Sequence, residues 1–412
     1  MTRRIFHGWY VVAAAFVVTC VGFGNAYTFS AFVPSLQRDF AASRGSVSLV
    51  FSLAGFLYFA LGLVSGPLAD RFGSRPLCAA GMALIGAGIC AAGWAHTLTA
   101  VYLCYGLGVG LGIGTAYVPA VGAVQRWFVR RRGFASGLAV SGIGVGTLIF
   151  PPLAAHLIAA VGWRHAYLIL GATAGIAGVA ASLFVENDPG ARGLGPDGDP
   201  PGRPGAGAVG GESTVGEVVR SRRFVLLYAA CLVSSFGMFV PFVHLVPYAL
   251  DHGIGATAAA LLLAAVGVGS TGGRFFLGGI ADKLGRGPAL VMMFGGMAAT
   301  LVVWAVSTRY WELAAFALTY GVFYGGFVAV LPALTMDYFG GRRVSGILGV
   351  LYTSIAFGTL IAPTAAGYAY DWSGSYTLPI LAGAAGDVIA ALMMWRLSSG
   401  AVPVVARGRV DV

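Results

Sequence analysis

"GPLADRFG", at residues 66–73, returns 212 positions later as "GGIADKLG", at residues 278–285. A second pair of stretches has the same spacing, because "GTLIFP" at 146–151 matches "GTLIAP" at 358–363. Two independent matches at one shift indicate that the chain contains two copies of one unit. We therefore expect two structurally equivalent halves, related by pseudo-symmetry.

Both halves have the composition of a membrane protein. Of the 412 residues, 58% are hydrophobic and 10% are charged, whereas soluble domains contain about 25% charged residues. Apolar stretches of about 18 residues or more, which are long enough to cross a hydrocarbon layer of roughly 30 Å, recur along the whole chain. The predicted fold class is an all-α membrane protein with twelve transmembrane helices in two pseudo-symmetric six-helix bundles. We number the predicted helices span 1 to span 12 and place them at 8–36, 45–67, 76–95, 98–124, 134–160, 163–185, 224–250, 256–281, 287–307, 310–336, 344–370 and 375–397.

The segment between spans 6 and 7 differs from the rest of the chain. It contains "ENDPGARGLGPDGDPPGRPGAGAVGGE", which is rich in Gly, Pro and Asp and has too few apolar residues to form a core. We expect a flexible cytoplasmic linker there. The predicted domains are an N-terminal six-helix bundle at 1–185, the linker at 186–223, a C-terminal six-helix bundle at 224–397 and a cytoplasmic tail at 398–412.

The basic residues indicate how the chain is oriented in the membrane. With the N-terminus in the cytoplasm, twenty of the 25 lysines and arginines fall on the cytoplasmic side; Arg38, Arg44, Arg164 and Arg309 fall on the other side, and Arg274 lies between. This asymmetry is the positive-inside rule. It predicts a multi-pass protein of the cytoplasmic (inner) cell membrane with both termini in the cytoplasm. Because the net charge of +10 is divided among short loops, it does not suggest a nucleic-acid partner.

The sequence shows no arrangement typical of an enzyme. The five cysteines lie in or next to apolar segments without paired spacing, as expected for small buried side chains. Glycine strings such as "GLGVGLGIG" lie in an apolar helix without a preceding strand, so helix packing explains them better than a nucleotide site. We expect no catalytic residues, no metal and no cofactor.

The two repeated loops carry a resemblance to a known family. They contain Gly66, Asp70, Arg71, Gly73 and Arg75 after span 2, and Gly278, Asp282, Lys283, Gly285 and Arg286 after span 8. In these residues, and in twelve spans over its whole length, the chain resembles the major facilitator superfamily. The resemblance implies transport by alternating access and makes the loops a cytoplasmic latch, whose acid meets neighbouring backbone and basic groups. The glycines are expected to allow close helix packing.

Arg274 is the least expected residue of span 8, because the 21 residues before it, 253–273, are apolar, glycine or small polar residues. An arginine near mid-membrane costs about 2.5–3.5 kcal/mol on insertion scales. Three arrangements could offset this cost: an ion pair between Arg274 and Asp387 of span 12, extension of the Arg274 side chain towards the membrane interface near Asp282, or binding of a substrate carboxylate. Because its planar fork suits a carboxylate, we expect Arg274 to bind substrate.

The sequence of span 5 narrows the resemblance from the superfamily to particular families within it. "WFVRRRGFASGLAVSGIGVG", at 127–146, together with Arg274, Gly278 and Asp282, resembles the monocarboxylate porter family and the related oxalate–formate exchangers. The chain departs from both patterns. Residues 344–370 contain no Lys, Arg or His, where the oxalate exchangers carry a lysine for a second carboxylate. Ser270 stands where the mammalian-type porters have an acid, and residues 8–36 lack the lysine of their first helix.

Other polar and aromatic residues are candidates for the same site. A phenol at Tyr117 of span 4 would lie at the depth of Arg274 and donate to the second carboxylate oxygen, although packing against another helix is the alternative. Packing is also the alternative for the weaker candidates, which are Asn25, Tyr27, Ser141, Tyr324, Phe327 and Tyr352. His244, between Pro241 and Pro247 in span 7, is either a proton carrier or a gate residue.

These observations predict a secondary active transporter of small monocarboxylates, such as lactate or pyruvate, that works by alternating access. The expected partners are the carboxylate, protons and the lipid bilayer, and we expect a functional monomer. Two alternatives remain open: a carboxylate exchanger of the oxalate–formate type, and a multidrug-type efflux transporter in which Arg274 forms a structural ion pair.

Overall fold

The computed structural model describes residues 6–200, 215–339 and 344–399, and within these ranges the chain forms helices and no strands. Residues 201–214 of the predicted linker and 400–412 of the predicted tail lie outside the described residues, as does the side chain of Asp282.

The first half contains Gly8–Tyr27 and Phe29–Phe40 (span 1), Arg44–Ala60 and Gly62–Phe72 (span 2), Ser74–Gly93 (span 3), Leu98–Val101, the π-helix Tyr102–Leu107 and Gly108–Trp127 (span 4), and Arg132–Ser182 (spans 5 and 6). The second half contains Arg222–Met238 and Val240–Asp251 (span 7), Ala256–Leu284 (span 8), Arg286–Val306 (span 9), Tyr310–Phe339 (span 10), Val344–Ser373 (span 11) and Thr377–Ser399 (span 12). Three short helices follow span 6: Pro189–Arg192, Pro196–Gly198 and Val215–Arg220.

The predicted number of spans is confirmed. Ten helices of the described residues are long and apolar enough to cross a membrane, and the pair that forms span 2, bent by 48°, makes an eleventh. The longest helix covers two spans, because its backbone breaks at Gly162 (φ 79°, ψ 160°), a conformation that glycine adopts without strain. The described residues therefore form twelve spans.

The outer surface of the protein suits a lipid environment. Large apolar side chains project from many spans, and Ile176, Phe276 and Val306 are exposed by 74%, 75% and 77%. Soluble proteins rarely expose apolar surface on this scale. Backbone polar groups are satisfied within the helices, as a hydrocarbon environment requires.

The repeated sequence stretches occupy equivalent structural positions. A Cβ added at Gly146 of span 5 would lie 2.2 Å from the Cys20 carbonyl oxygen of span 1, and one added at Gly358 of span 11 would lie 1.7 Å from Ser235 Oγ of span 7. Each half thus brings one pair of spans into backbone contact at the same motif. The loops also agree: Gly73 (φ 88°) and Gly285 (φ 93°) both end a helix in a conformation that favours glycine.

The two halves meet along two main pairs of spans. Span 2 packs against span 11, and span 5 packs against span 8. Spans 1 and 7 also meet, through Phe29–Phe40 and Val240–Asp251. Between the halves, residues of spans 1, 2, 4, 5, 7, 10 and 11 surround a central space.

Candidate functional site

A cavity of ≈ 30 Å³ lies between the halves. About 10–15 Å³ of such volume holds one water molecule, so the cavity has room for a few small groups. Its walls are mainly aromatic and include five of the residues predicted from the sequence: Tyr27, Tyr117, Tyr324, Phe327 and Tyr352. Residues from both halves therefore enclose one space.

Arg274 of span 8 is buried but is not one of the residues that line this cavity. Only 5% of its surface is exposed, so the side chain does not extend to the membrane interface. Its Nη1 group donates to Ser270 of the same helix, at 2.6 Å to Oγ and 3.1 Å to the carbonyl oxygen. Tyr27, Tyr117 and Tyr324, which line the cavity, lie within electrostatic range of its charge.

One edge of the guanidinium is unused. The Nε and Nη2 atoms of Arg274 are buried and have no hydrogen-bonding partner among the described residues. Asp387, the acid proposed as an ion-pair partner, accepts instead from Ser234 of span 7. Because Nε–H and Nη2–H point the same way, this edge can hold both oxygens of one carboxylate. Three tyrosine hydroxyls stand nearby to assist.

Two of these hydroxyls link the halves. Tyr27 Oη of span 1 and Tyr324 Oη of span 10 are 3.2 Å apart and buried. The Tyr27 ring also packs on Phe242 of span 7, with 4.5 Å between centroids. A ligand at Arg274 would therefore contact both halves at once.

Besides Arg274, two predicted site residues, Asn25 and Ser141, stay outside the cavity lining. Asn25 Nδ2 donates to the Val21 carbonyl at 2.8 Å, and Ser141 Oγ donates to the Leu138 carbonyl at 2.7 Å. Each side chain therefore bonds the backbone of its own helix. Asn25 Oδ1 is buried without a partner among the described residues.

Several lining residues were not identified from the sequence. They are Phe23, Phe59, Ile143, Met238, Phe239, Val328, Leu331 and Ile355. Helical spacing could have identified two of these residues, because Phe23 precedes Tyr27 by four residues and Leu331 follows Phe327 by four. Met238 and Phe239 reach the cavity because span 7 breaks there, which no spacing rule predicts.

His244 lies away from Arg274, in a buried network towards the opposite end of the spans from the latch loops. Its Nε2 donates to the Pro363 carbonyl at 2.7 Å, because a carbonyl oxygen only accepts. In the neutral ring, Nδ1 then accepts from the Tyr376 hydroxyl at 2.9 Å, an assignment made from these partners. Arg44 Nη1 donates to the same Tyr376 oxygen at 3.0 Å.

Arg44 joins the two halves at this end. Its guanidinium, at the start of span 2, binds both carboxylate oxygens of Asp251 at the end of span 7, at 2.5 and 2.6 Å. The backbone N–H groups of Arg44 and Gly45 donate to Asp371 of span 11, both at 2.9 Å. We call Arg44, Asp251, Asp371 and Tyr376 the Arg44 network, and the end that holds it the Arg44 end.

The predicted latch residues lie at the other end, which we call the latch end. Asp70 pairs with Arg126, and Arg75 pairs with Glu186 at 3.1 Å. Arg286 pairs with Asp337 at 2.6 Å and also donates to the Ala333 carbonyl. Each of these pairs joins segments of one half, so they do not close this end as the Arg44 network closes the other.

The remaining latch residues contribute differently. Arg71 is exposed and lies over the Phe72 ring, 5.2 Å from its centroid. A Cβ added at Gly66 would make an ordinary contact, 3.6 Å from Val118, and one added at Gly278 would meet no described atom within 4 Å. Close helix packing therefore does not explain these two glycines in this conformation.

Arg192 holds the pKa of Glu186, at the end of span 6, below its usual value by donating to its carboxylate.

Comparisons with known proteins agree with this architecture. A family model described as Major Facilitator Superfamily matches residues 14–308 and 225–409. The chain is 31% identical over 387 residues to human monocarboxylate transporter 11, covering 91% of this chain and 79% of that protein. It is 31% identical to rat monocarboxylate transporter 3 over 394 residues, with coverages of 94% and 79%.

A solved structure shows the same fold. A bacterial homologue of the human lysosomal transporter Spinster superposes with a TM-score of 0.73 at 16% identity, over 95% of this chain and 97% of that one. Helical composition, twelve spans and a whole-length family match confirm the predicted fold class. The relatives are transporters and not enzymes, as predicted. The chain belongs to the major facilitator superfamily and, within it, to the family of the monocarboxylate transporters.

Proposed function

We propose that this protein transports small monocarboxylates, such as lactate or pyruvate, and that Arg274 binds their carboxylate. The observation that carries the proposal is the buried guanidinium edge of Arg274, Nε and Nη2, which has no hydrogen-bonding partner among the described residues. Its relatives are named as monocarboxylate transporters. One cation with one free edge neutralises one carboxylate, which favours a monoanion over a dianion.

The cavity explains how such a ligand is held. Its carboxylate occupies the Arg274 edge, and the hydroxyls of Tyr27, Tyr117 and Tyr324 donate to the remaining oxygen lone pairs. The aromatic walls limit the size of the organic group. Because bound substrate neutralises Arg274 and contacts both halves, it favours closure of the cavity and the change of access from one side to the other.

The contacts between the two halves support a proposal for which side of the protein is closed in this conformation. The Arg44 network closes one end, while the latch-end ion pairs join segments within single halves. Because the positive-inside rule favours a cytoplasmic latch end, we propose that the protein is here closed to the outside. With this orientation we propose an inner-membrane protein that has six-helix bundles at 1–185 and 224–397 and has both termini and the linker at 186–223 in the cytoplasm.

We further propose symport of a proton with the carboxylate, by a functional monomer. His244 acts as a gate residue, because its partners Tyr376 and Pro363 belong to the closed Arg44 end and not to the cavity. An exchanger of the oxalate–formate type is the second candidate, since it would use the same arginine edge. The two differ in that an exchanger needs a carboxylate on both sides.

Uptake of labelled lactate and pyruvate into proteoliposomes tests the proposal. The wild type is expected to accumulate label under an inward proton gradient without internal carboxylate. Arg274→Lys keeps the charge but loses the two-point edge, so it should lose at least tenfold in uptake. Arg38→Lys, at an exposed arginine, is the matched control and should behave as wild type.

Three results would contradict the proposal. Full uptake by Arg274→Lys and Arg274→Ala would remove Arg274 from the site. Uptake only with internal carboxylate would favour the exchanger. Transport of bulky cations with indifference to carboxylates would favour a multidrug-type efflux transporter.

A further inference from the structure

Span 12 contains a second buried ionisable group, Asp387, which the carboxylate site does not use. It is the eleventh residue of Thr377–Ser399 and has no exposed surface. At 1.5 Å per residue it lies about 18 Å from the latch end of its helix, and Arg274 lies about 15 Å from the latch end of span 8. The two groups are therefore at similar depth.

The carboxyl group of Asp387 has a single partner. Ser234 Oγ of span 7 donates to its Oδ1, while Oδ2 is buried without a partner among the described residues. The Tyr320 hydroxyl of span 10 lies within electrostatic range of Asp387 and donates to the Met238 carbonyl at 2.6 Å. The described structure shows no cation paired with Asp387. A carboxylate with one hydroxyl donor and no counter-charge is poorly compensated in a membrane interior, whereas a carboxylic acid is tolerated.

The surroundings of Asp387 fit tightly. A Cβ added at Gly383 would lie 2.7 Å from Gly237 of span 7, and one added at Gly386 would lie 2.7 Å from the Val233 carbonyl. The backbones of spans 7 and 12 are thus in contact on both sides of the Ser234–Asp387 hydrogen bond. In this conformation water does not reach the carboxyl group, so a proton bound there is held until span 7 moves.

Two short routes connect Asp387 to the cavity. Ser234 is one helical turn before Met238, where span 7 breaks between its two helices and lines the cavity. Tyr320, whose hydroxyl holds the carbonyl at this break, stacks on Tyr324, with 6.4 Å between centroids and 7° between planes. Tyr324 in turn contacts Tyr27 of the other half. A change of charge at Asp387 therefore acts on the break in span 7 and on the tyrosines around the ligand.

We propose that Asp387 is the proton-binding site of the transporter, occupied through Oδ2 while Oδ1 accepts from Ser234. The inference rests on the proton coupling proposed above, and it supplies an acid that the chain lacks near Arg274, where Ser270 stands. One proton enters Asp387 from the outside as one carboxylate binds Arg274. Both leave to the cytoplasm after the halves reorient, so each cycle carries no net charge.

The test uses proteoliposomes that contain a pH-sensitive dye, with lactate and pyruvate as substrates. In the wild type, inward lactate should bring protons with it. Asp387→Asn should keep lactate counterflow within about twofold of wild type but lose at least tenfold of the lactate-dependent proton influx. Glu312→Gln is the matched control, because it makes the same chemical change at an exposed helix start. It should show wild-type proton influx.

Infrared spectroscopy of the wild type and Ser234→Ala gives a second readout if Asp387→Asn does not fold. The wild type should show the C=O stretch of a protonated carboxylic acid at neutral pH, shifted in Ser234→Ala because Oδ1 loses its donor. Absence of this band, or undiminished proton influx in a folded Asp387→Asn, would overturn the Asp387 assignment alone. Counterflow without proton influx in the wild type would overturn proton coupling together with this inference. Failure of carboxylate counterflow in the wild type would instead overturn the proposed function.

Discussion

Among single residues, the hydroxyl pair of Tyr27 and Tyr324 gives the most direct test of how the ligand contacts both halves. The two hydroxyls are 3.2 Å apart, and both tyrosines lie within electrostatic range of Arg274. Removing one neutral hydrogen bond costs about 0.5–1.5 kcal/mol, so Tyr27→Phe and Tyr324→Phe should each weaken lactate affinity about 2- to 10-fold. The double variant should weaken it by less than the product, because the two hydroxyls share one contact. Binding by isothermal calorimetry checks this.

Tyr10→Phe serves as the control for that measurement, because Tyr10 is 48% exposed and far from the cavity lining. Unchanged affinity in both single variants would show that the hydroxyls pack rather than bind. The double variant distinguishes a shared role from two separate ones.

Glu186, at the end of span 6, should make the stability of the fold depend on pH. Arg192 donates to both of its oxygens at 2.6 Å and lowers the pKa of this carboxyl group. A lowered pKa means that the ionised form stabilises the fold above the usual glutamate pKa of about 4.3. This stabilisation is lost as the pH falls through the lowered value. Because the Arg192 side chain is 47% exposed, solvent screening keeps this contribution to stability small.

Glu186→Gln should therefore melt at a lower temperature than wild type at pH 7, by a difference that shrinks below pH 4. Thermal unfolding in detergent across pH 3–8 checks this. A difference that stays constant at all pH values would show that the ion pair with Arg192 is not the cause.

The sequence singles out Arg274 as a buried charge but does not give its surroundings. The cost of a charge in an apolar helix singles out Arg274 from sequence alone. Which of its N–H groups are free depends on the rotamer and on Ser270, and these follow only from the packed structure. Likewise, the sequence indicates only that Arg44 is one of four arginines on the non-cytoplasmic side. It does not predict the ion pair with Asp251, because the two residues are 207 positions apart and meet only in the folded structure.

At the level of helices, the spans were predicted well and their interruptions were not. The break after Met238 forms because Pro241 has no N–H for the preceding turn, and Tyr320 satisfies a carbonyl there. Hydropathy averages over such breaks. By contrast, the lining stripe of span 10, Tyr324, Phe327, Val328 and Leu331, follows ordinary helical spacing and was accessible to sequence reasoning.

Span 5 provides a matched pair of glycines that tests why the GTLI motif recurs. A Cβ at Gly146 would lie 2.2 Å from a backbone oxygen of span 1, whereas one at Gly137 would meet no described atom within 4 Å. Gly146→Ala should thus separate spans 1 and 5 and destabilise the protein by about 1–3 kcal/mol, as overpacking does. Gly137→Ala should be neutral or gain up to about 1 kcal/mol from helix propensity. Thermal melting compares them, and equal melting temperatures would refute the close-contact explanation.

For the whole molecule, the Arg44 network decides which end of the transporter is closed. Its ion pair joins the two halves, and the side chains of Arg44 and Asp251 are exposed by only 14% and 28%. A partly buried, charge-assisted contact of this kind contributes about 1.5 kcal/mol, which corresponds to a tenfold change in the ratio of closed to open molecules. Cation–π contact between Arg44 and Tyr370, at 3.9 Å, acts in the same direction.

Arg44→Gln and Asp251→Asn should each shift the population about tenfold towards the state that is open at the Arg44 end. Spin labels at His96 and Trp372, exposed positions on opposite halves at this end, report the change as a longer distance in pulsed electron resonance. Arg164→Gln is the matched control, because Arg164 and Asp39 form an ion pair of similar length at the same end but within one half. It should leave the distances unchanged. If Arg44→Gln also left them unchanged, closure at this end would be due to packing of spans 2 and 11 rather than to the ion pair.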